Sequence, residues 1–330
     1  MADLTTKYLG LELKNPIIVG SCSLTASVED IVQLEQNGAA AIVLKSIFEE
    51  EILLEASQDL KDAEKSRLIY SQLSETLDYI DVHTKEKRLG EYLRLIQDAK
   101  SKILIPVIAS INCITDLEWV DFAKKIQDAG ADALELNIFL NPMDTEQKDY
   151  EKTIRKIVGK VIKAVSIPVS VKLSDCFTNL SKTIVDISKE GVAGIILFNR
   201  FFTPDIDIYN LNIIPGRMHS CETDYAKSLR WIALLSDKID CSIVASTGIH
   251  DANTIVKQIL AGADAVQVVS TLYLNGKRYI NQMLAGIDKW MLEKGFFSLS
   301  QFKGLASYKK ATNPAVYERI QFMKYFGRIG

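Results

Sequence analysis

Two lysines, Lys45 and Lys172, stand at the ends of short apolar runs, in LKS and VKL. An ammonium group in such a place suits two chemistries. It stabilises an anionic cofactor electrostatically, or it condenses with a carbonyl substrate as a Schiff base. Four further runs end on residues that hydrogen-bond: Glu135-Leu136-Asn137, Phe198-Asn199-Arg200, Ser246-Thr247-Gly248 and Val269-Ser270-Thr271. The last two are small enough to let a phosphate approach backbone N–H groups. One lysine at a strand end is commonplace, because lysines snorkel out of cores. Six such termini at equivalent places are not. The residues alone leave two enzyme classes open, a flavin oxidoreductase and a Schiff-base aldolase using Lys172.

All six termini close one repeated unit. Apolar runs recur at 16–20 (PIIVG), 40–45 (AAIVLK), 106–110 (PVIAS), 133–137 (ALELN), 168–172 (PVSVK), 194–199 (GIILFN), 242–247 (SIVAST) and 265–270 (AVQVVS). Runs without alternation suit parallel strands covered on both faces. Helix-period segments lie between them, for example 116–129 and 150–164. Gly38, Gly130, Gly191 and Gly262 precede the even-numbered strands, where a helix end favours a left-handed residue. Two strand–helix types alternating four times form an internal repeat. Eight such units predict a closed (β/α)₈ barrel, an α/β fold whose strand ends converge on one face. An open doubly wound sheet lacks support, since no GxGxxG follows the first strand.

An N-terminal β-hairpin is expected in TTKYLGLELKNP, closing the barrel bottom. Two inserts fall on the C-terminal face. Residues 46–90 carry an acidic amphipathic stretch read as a surface helix. Residues 200–222 include PDIDIYNLNIIP, read as a two-stranded flap. No low-complexity linker divides the chain, so residues 1–310 are expected as one barrel domain with a tail over 311–330.

The 330 residues carry 39 Lys+Arg against 42 Asp+Glu, a net charge of −3. That lacks the basic surplus of a general nucleic-acid binder. Hydrophobic residues at 48% and charged residues at 25% exclude a disordered chain. No apolar run reaches the ~18 residues of a membrane span, and since MADLTTKYLG lacks a basic region followed by an apolar one, no signal peptide is expected. Five cysteines form no CxxC pair and three histidines show no metal spacing, so no metal is expected. A cytoplasmic protein follows as the expectation.

From Leu9 to about Gly304 the chain resembles the dihydroorotate dehydrogenase family of FMN barrels. The resemblance lies in LGLELKNPIIVGS, LKS, ELN, VKL, FN, STGI and AGADAVQVVSTL, in that order and on those strands. The absence of a membrane-binding extension resembles the soluble class 1 branch. The resemblance implies an FMN cofactor, with Gly20 and Ser21 beneath the flavin and Lys45 and Ser46 approaching its ring. It implies Asn137 as a flavin hydrogen-bond partner and Lys172 as the cation near N1. Ser246, Thr247, Gly248, Val269, Ser270 and Thr271 would hold the phosphate and Asn199 the substrate; Arg200, which departs from the family pattern, is added as a substrate contact from its own chemistry. It further implies oxidation of dihydroorotate to orotate, in pyrimidine biosynthesis, by a homodimer.

One departure concerns the base. The family follows ELN with a motif bearing a Cys or Ser that takes the substrate proton; here Leu140 holds that position. The family's orotate-contacting NxxGLPN segment is also unrecognisable in SETLDYIDVH. Loss of a general base typically costs about 10²–10⁴-fold. Cys113, Cys176 and Asp144 are the substitutes near the same face, although isolated cysteines more often pack as small hydrophobes. Arg200 follows Asn199 where the family carries Ser or Thr. A guanidinium fork there would suit a carboxylate; the plain alternative is a surface arginine paired with Asp205 or Asp207. The altered base also opens a related flavin enzyme acting on a different carboxylated or cyclic substrate.

Overall fold

The computed structural model describes residues 2–49, 51–52, 73–113, 116–138, 149–200 and 203–318. A hairpin of β1 (Thr6–Tyr8) and β2 (Leu11–Leu13) opens it. Strands and helices then alternate: β3 (Ile17–Val19), α1 (Val28–Gln36), β4 (Ala41–Val43), β5 (Ile47–Phe48), α2 (Leu73–Lys102), β6 (Val107–Asn112), α3 (Asp116–Asp128), β7 (Ala133–Asn137), α4 (Tyr150–Ala164), β8 (Val169–Leu173), α5 (Leu180–Ser188) and β9 (Gly194–Leu197). A second hairpin, β10 (Pro204–Asp207) with β11 (Asn212–Pro215), interrupts the pattern. The chain resumes with α6 (Tyr225–Leu235), β12 (Ser242–Ser246), α7 (Ala252–Ala261), β13 (Ala265–Val268), α8 (Ser270–Asn275) and α9 (Tyr279–Lys294).

Eight strands pair in parallel in the order β4, β3, β13, β12, β9, β8, β7, β6, and β4 pairs back to β6. The ring is a closed barrel, as the repeat predicts. Each predicted apolar run contains or overlaps one barrel strand. The four predicted helix-end glycines all take positive φ: 99° at Gly38, 93° at Gly130, 95° at Gly191 and 119° at Gly262. Both predicted hairpins form.

Side chains alternate across each strand and build two cores. One lies between barrel and helices, with Trp119, Phe122, Leu134, Leu136, Ile184 and Phe302 fully buried or nearly so. The other fills the barrel interior with Ile18, Ala41, Val43, Ile108, Ala133, Ile196, Val244 and Ala265. Tyr8, Leu9 and Leu13 of the first hairpin plug this interior from below. Gly194 receives the plug: a Cβ there would sit 2.7 Å from Leu9 Cδ2 and 3.0 Å from Tyr8 Cε2. Above the apolar layers the inward positions turn polar, with Ser110, Glu135, Ser170, Lys172 and Gln267 all buried. The apolar plug below leaves the upper mouth as the barrel's polar end.

The acidic stretch expected as a surface helix lies largely outside the described residues, while α2 takes up the end of that insert. The tail expected from 311 is described as far as 318. There Tyr317 Oη donates to the Ala306 carbonyl at 2.5 Å, and Arg230 Nε donates to the Tyr317 carbonyl at 3.1 Å. Its first turn therefore packs on its own barrel. Among the described residues no helix is long and apolar enough to cross a membrane.

Two of the helix-end glycines separate backbone from steric cost. A Cβ on Gly262 would lie 2.4 Å from Ser236 Oγ, whereas one on Gly130 meets nothing within 4 Å. Gly130→Ala should cost about 1 kcal/mol through its φ alone. Gly262→Ala should cost about 2 kcal/mol or more. Urea unfolding of the two variants checks the difference, and equal losses would refute the steric part.

Candidate active site

The polar layer centres on Lys172. Its Nζ donates to Gln267 Oε1 at 2.9 Å and lies 3.8 Å from Glu135 Oε1. Gln267 Nε2 in turn donates to Glu135 Oε2 at 2.6 Å. The lysine side chain is 8% exposed and the glutamate 0%. Three strands set this geometry: Lys172 lies on β8, Glu135 on β7 and Gln267 on β13. An ion pair so dry holds only with its hydrogen bonds in place. Below it, the Tyr8 phenol is pushed up, first by burial and then by the charge of Glu135. The phenol therefore stays protonated beneath the carboxylate. Gly20 keeps β3 close to this group, since a Cβ there would lie 3.3 Å from Gln267 Oε1.

Above Lys172 opens a cleft of about 470 Å³, within the usual size of a cofactor or substrate site. Lys172 and Gln267 line it, with Ser21 and Asn199 beside them. Ser246, Thr247, Gly248 and Ile249 after β12, and Val269 and Ser270 after β13, form one wall. Arg200, Pro215, Gly216, Arg217, Met218 and Ser220, from the chain around the second hairpin, form the other. Among the described residues lining the cleft, Lys172, Arg200 and Arg217 are cations and none is a carboxylate. The site thus suits an anion.

The wall of the cleft after β12 has unusual backbone. Thr247 and Gly248 both take positive φ, 74° and 77°. Thr247 is β-branched, so this conformation is an outlier held by its surroundings; its Oγ1 donates to the Phe198 carbonyl at 3.1 Å. Gly248 has no room for a side chain, because a Cβ would stand 2.2 Å from the Tyr225 nitrogen.

Of the residues expected at the site, Ser21, Lys172, Asn199, Arg200, Ser246, Thr247, Gly248, Val269 and Ser270 line this one cleft. Others support them from behind. Asn137 Oδ1 accepts from Asn199 Nδ2 at 2.7 Å. Ser46 Oγ lies 3.0 Å from Ser21 Oγ and 2.7 Å from Ser110 Oγ, making a short hydroxyl chain. Thr271 Oγ1 donates to the His250 carbonyl at 3.2 Å. Lys45 does not line the cleft. It is half exposed, 4.0 Å from Glu51, beside a separate groove with Tyr92 and Arg88.

Arg200 pairs with neither Asp205 nor Asp207. Its Nη1 donates to the Met218 carbonyl and its Nη2 to the Arg217 carbonyl. The guanidinium fork therefore ties the return of the second hairpin to the end of β9. Asp224 stands near both arginines; burial raises its pKa, but hydrogen bonds from Cys221, with Arg200 and Arg217, bring it below the ordinary value.

The substitute bases fare differently. Cys113 is buried beyond β6 and Cys176 is exposed beyond β8; neither lines the cleft. The Cys176 thiol is raised, by burial and then by Asp175, which disfavours the thiolate a base would need. Asp144 and Leu140 lie outside the described residues. Gln267, Arg217, Ser220 and His250 escaped the sequence reading. The inward position of Gln267 beside Gly-rich turns was the signal available for it.

A model of the dihydroorotate dehydrogenase family matches residues 82–291. The chain belongs to the dihydroorotate dehydrogenase family. Among its relatives is dihydroorotate dehydrogenase B (NAD(+)), catalytic subunit, of Thermoplasma volcanium, 25% identical over 315 residues, covering 93% of this chain and 99% of the relative. Its counterpart in Thermoplasma acidophilum is 27% identical over 321 residues, with the same coverage of both. The NAD-dependent dihydropyrimidine dehydrogenase subunit PreA of Escherichia coli K12 is 23% identical over 323 residues, covering 92% of this chain and 77% of the relative. These relatives are dehydrogenases, and the chain is an oxidoreductase of the same family. The family is one of flavoproteins. The Schiff-base alternative finds no support here, since the family and these relatives are named as dehydrogenases.

The ion pair gives a stability test. Glu135→Leu should cost about 3–5 kcal/mol by stranding the Lys172 charge. Adding Lys172→Leu should recover much of that loss, because no charge then remains unpaired. Denaturant unfolding of the single and double variants measures the coupling, and simple additivity would show the pair to be inert.

Proposed function

We propose that this protein is an FMN-dependent dehydrogenase that oxidises dihydroorotate to orotate, a step of pyrimidine biosynthesis. The observation that carries the reading is the cleft above Lys172 at the barrel mouth, whose described lining holds Lys172, Arg200 and Arg217 and no carboxylate. FMN and a carboxylated substrate are both anions, and the residues present fit them. Ser246, Ser270 and the backbone at Thr247–Gly248 would hold the phosphate. Asn199, braced by Asn137, would hydrogen-bond the ring or substrate. When bound, the flavin supplies the hydride-accepting centre. Lys172 supplies a fixed positive charge in a dry floor, where charge stabilisation is worth most.

All three relatives carry the word subunit in their names, and this reading includes a second subunit as electron acceptor alongside the expected homodimer. It also includes a cytoplasmic setting. A second reading, a related flavin enzyme with another cyclic substrate, is favoured by Leu140 at the position of the family's base. A leucine cannot accept a proton. The dihydropyrimidine dehydrogenase relative supplies a concrete candidate ring without a carboxylate.

The visible spectrum of the purified protein tests both. A flavin band that bleaches on anaerobic addition of dihydroorotate supports the first reading. A band unmoved by dihydroorotate but bleached by dihydrouracil supports the second. Absence of any flavin band after incubation with FMN would sink both. In whichever reaction bleaches the band, Lys172→Met should slow reduction by about 10²–10³-fold.

A further inference from the structure

Ser220 and His250 form a pair beside the turns after β12 and β13, where Ser220 joins Gly248 and Ser270 in lining the cleft. Ser220 is 7% exposed and His250 8%. Ser220 Oγ stands 3.0 Å from His250 Nε2. Ser220 lines the cleft and the imidazole supports it from behind. They come from different elements: Ser220 from the return of the β10–β11 hairpin, His250 from the turn between Gly248 and α7. Both backbones are fixed to the start of α8. The Ser220 N–H donates to Ser270 Oγ at 3.0 Å, and the His250 carbonyl accepts from Thr271 at 3.2 Å.

A serine hydroxyl has one proton to place. Where the imidazole nitrogen accepts it, the cleft meets only Ser220 lone pairs, which repel an anion. Where Nε2 carries a hydrogen and donates it, the Ser220 proton is released toward the cleft. We infer that His250 is a positioning residue which, as an Nε2–H donor, turns the Ser220 hydroxyl into a hydrogen-bond donor for a phosphate group. The neighbouring acids do not compete for the pair. Asp251 accepts the Thr254 N–H at 2.7 Å, capping α7, and Asp224 accepts the N–H and thiol of Cys221, each at 2.9 Å. The identity of the phosphate as that of FMN rests on the reading proposed above; recognition of the phosphate group itself does not.

Nitrogen-15 spectra of the full chain test the pair directly, since it has only three histidines, His83, His219 and His250. Inorganic phosphate should move His250 toward the Nε2–H form in the wild type and leave it unmoved in Ser220→Ala. Sulfate, which does not titrate near neutrality, should act likewise. No response of His250, or the same response without the Ser220 hydroxyl, would overturn the inference. Fluorescence titration then compares FMN with riboflavin, which lacks the phosphate. His250→Ala should weaken FMN about tenfold or more and spare riboflavin. It should add nothing in the Ser220→Ala background, and His250→Gln, an amide donor, should restore part of the loss. Equal weakening of both flavins would mean a merely structural role. A wild type that binds neither flavin retires the flavin reading, and the phosphate spectra still decide the pair.

Discussion

The buried ammonium of Lys172 depends on the carboxylate of Glu135 and the amide of Gln267, and the rest of the barrel mouth depends on that triad. A charge in a dry interior is costly, and a pair of charges recovers that cost only with good geometry and further hydrogen bonds. Here the pieces arrive from β7, β8 and β13, strands distributed around the ring. The barrel must therefore be closed and in register before the charge can be tolerated. The register places Asn137 beside Lys172 and Ser246 beside Gln267. The same alignment thus carries the neighbouring polar residues to the same height. A one-residue slip in any of these strands would turn its polar side chains toward the helices.

The interior below explains why the polar layer sits where it does. The first hairpin drives Tyr8, Leu9 and Leu13 into the barrel from beneath, and the inward residues facing them are small: Ala41, Ala133, Gly194 and Ala265. Larger aliphatic groups, Ile18, Val43, Ile108, Ile196 and Val244, fill the remaining interior. The interior is thus shut to water from below. The asymmetry of the stack leaves one mouth for chemistry, and both inserts join that mouth.

Much of this was legible in the sequence because it is local. Runs such as ALELN and PVSVK, helix-end glycines and the two hairpins each follow from neighbouring residues. What escaped depends on the closed ring. Gln267 reads as a polar interruption in AVQVVS, and only pairing across β13 and β8 brings it to Lys172. Ser220 and His250 lie 30 residues apart, joined by a contact that no spacing announces. Lys45 and Lys172 occupy equivalent places in the repeat, yet differ in outcome. Lys172 belongs to β8 and points inward, whereas Lys45 follows the end of β4 and leans toward Glu51. Arg200 was legible as a cation beside the site, but its hold on the Arg217 and Met218 carbonyls was not.

The three cations among the described residues of the cleft differ in wetness, and that difference suits them to different work. The chain as a whole carries a net charge of −3, so attraction of an anion must come from the local field rather than from overall charge. Arg217 is exposed on the hairpin side, where water and salt screen it; such a charge draws an anion in more than it discriminates one state from another. Arg200 is half-buried and engaged with backbone, so it fixes the wall that carries Arg217. Lys172 alone is dry. A charge there acts in low dielectric without solvent to reorganise, so it distinguishes a ligand that gains negative charge from one that does not. The flavin reading proposed above would use that distinction at the cleft floor, where the Glu135–Gln267 brace keeps the Lys172 amine in place.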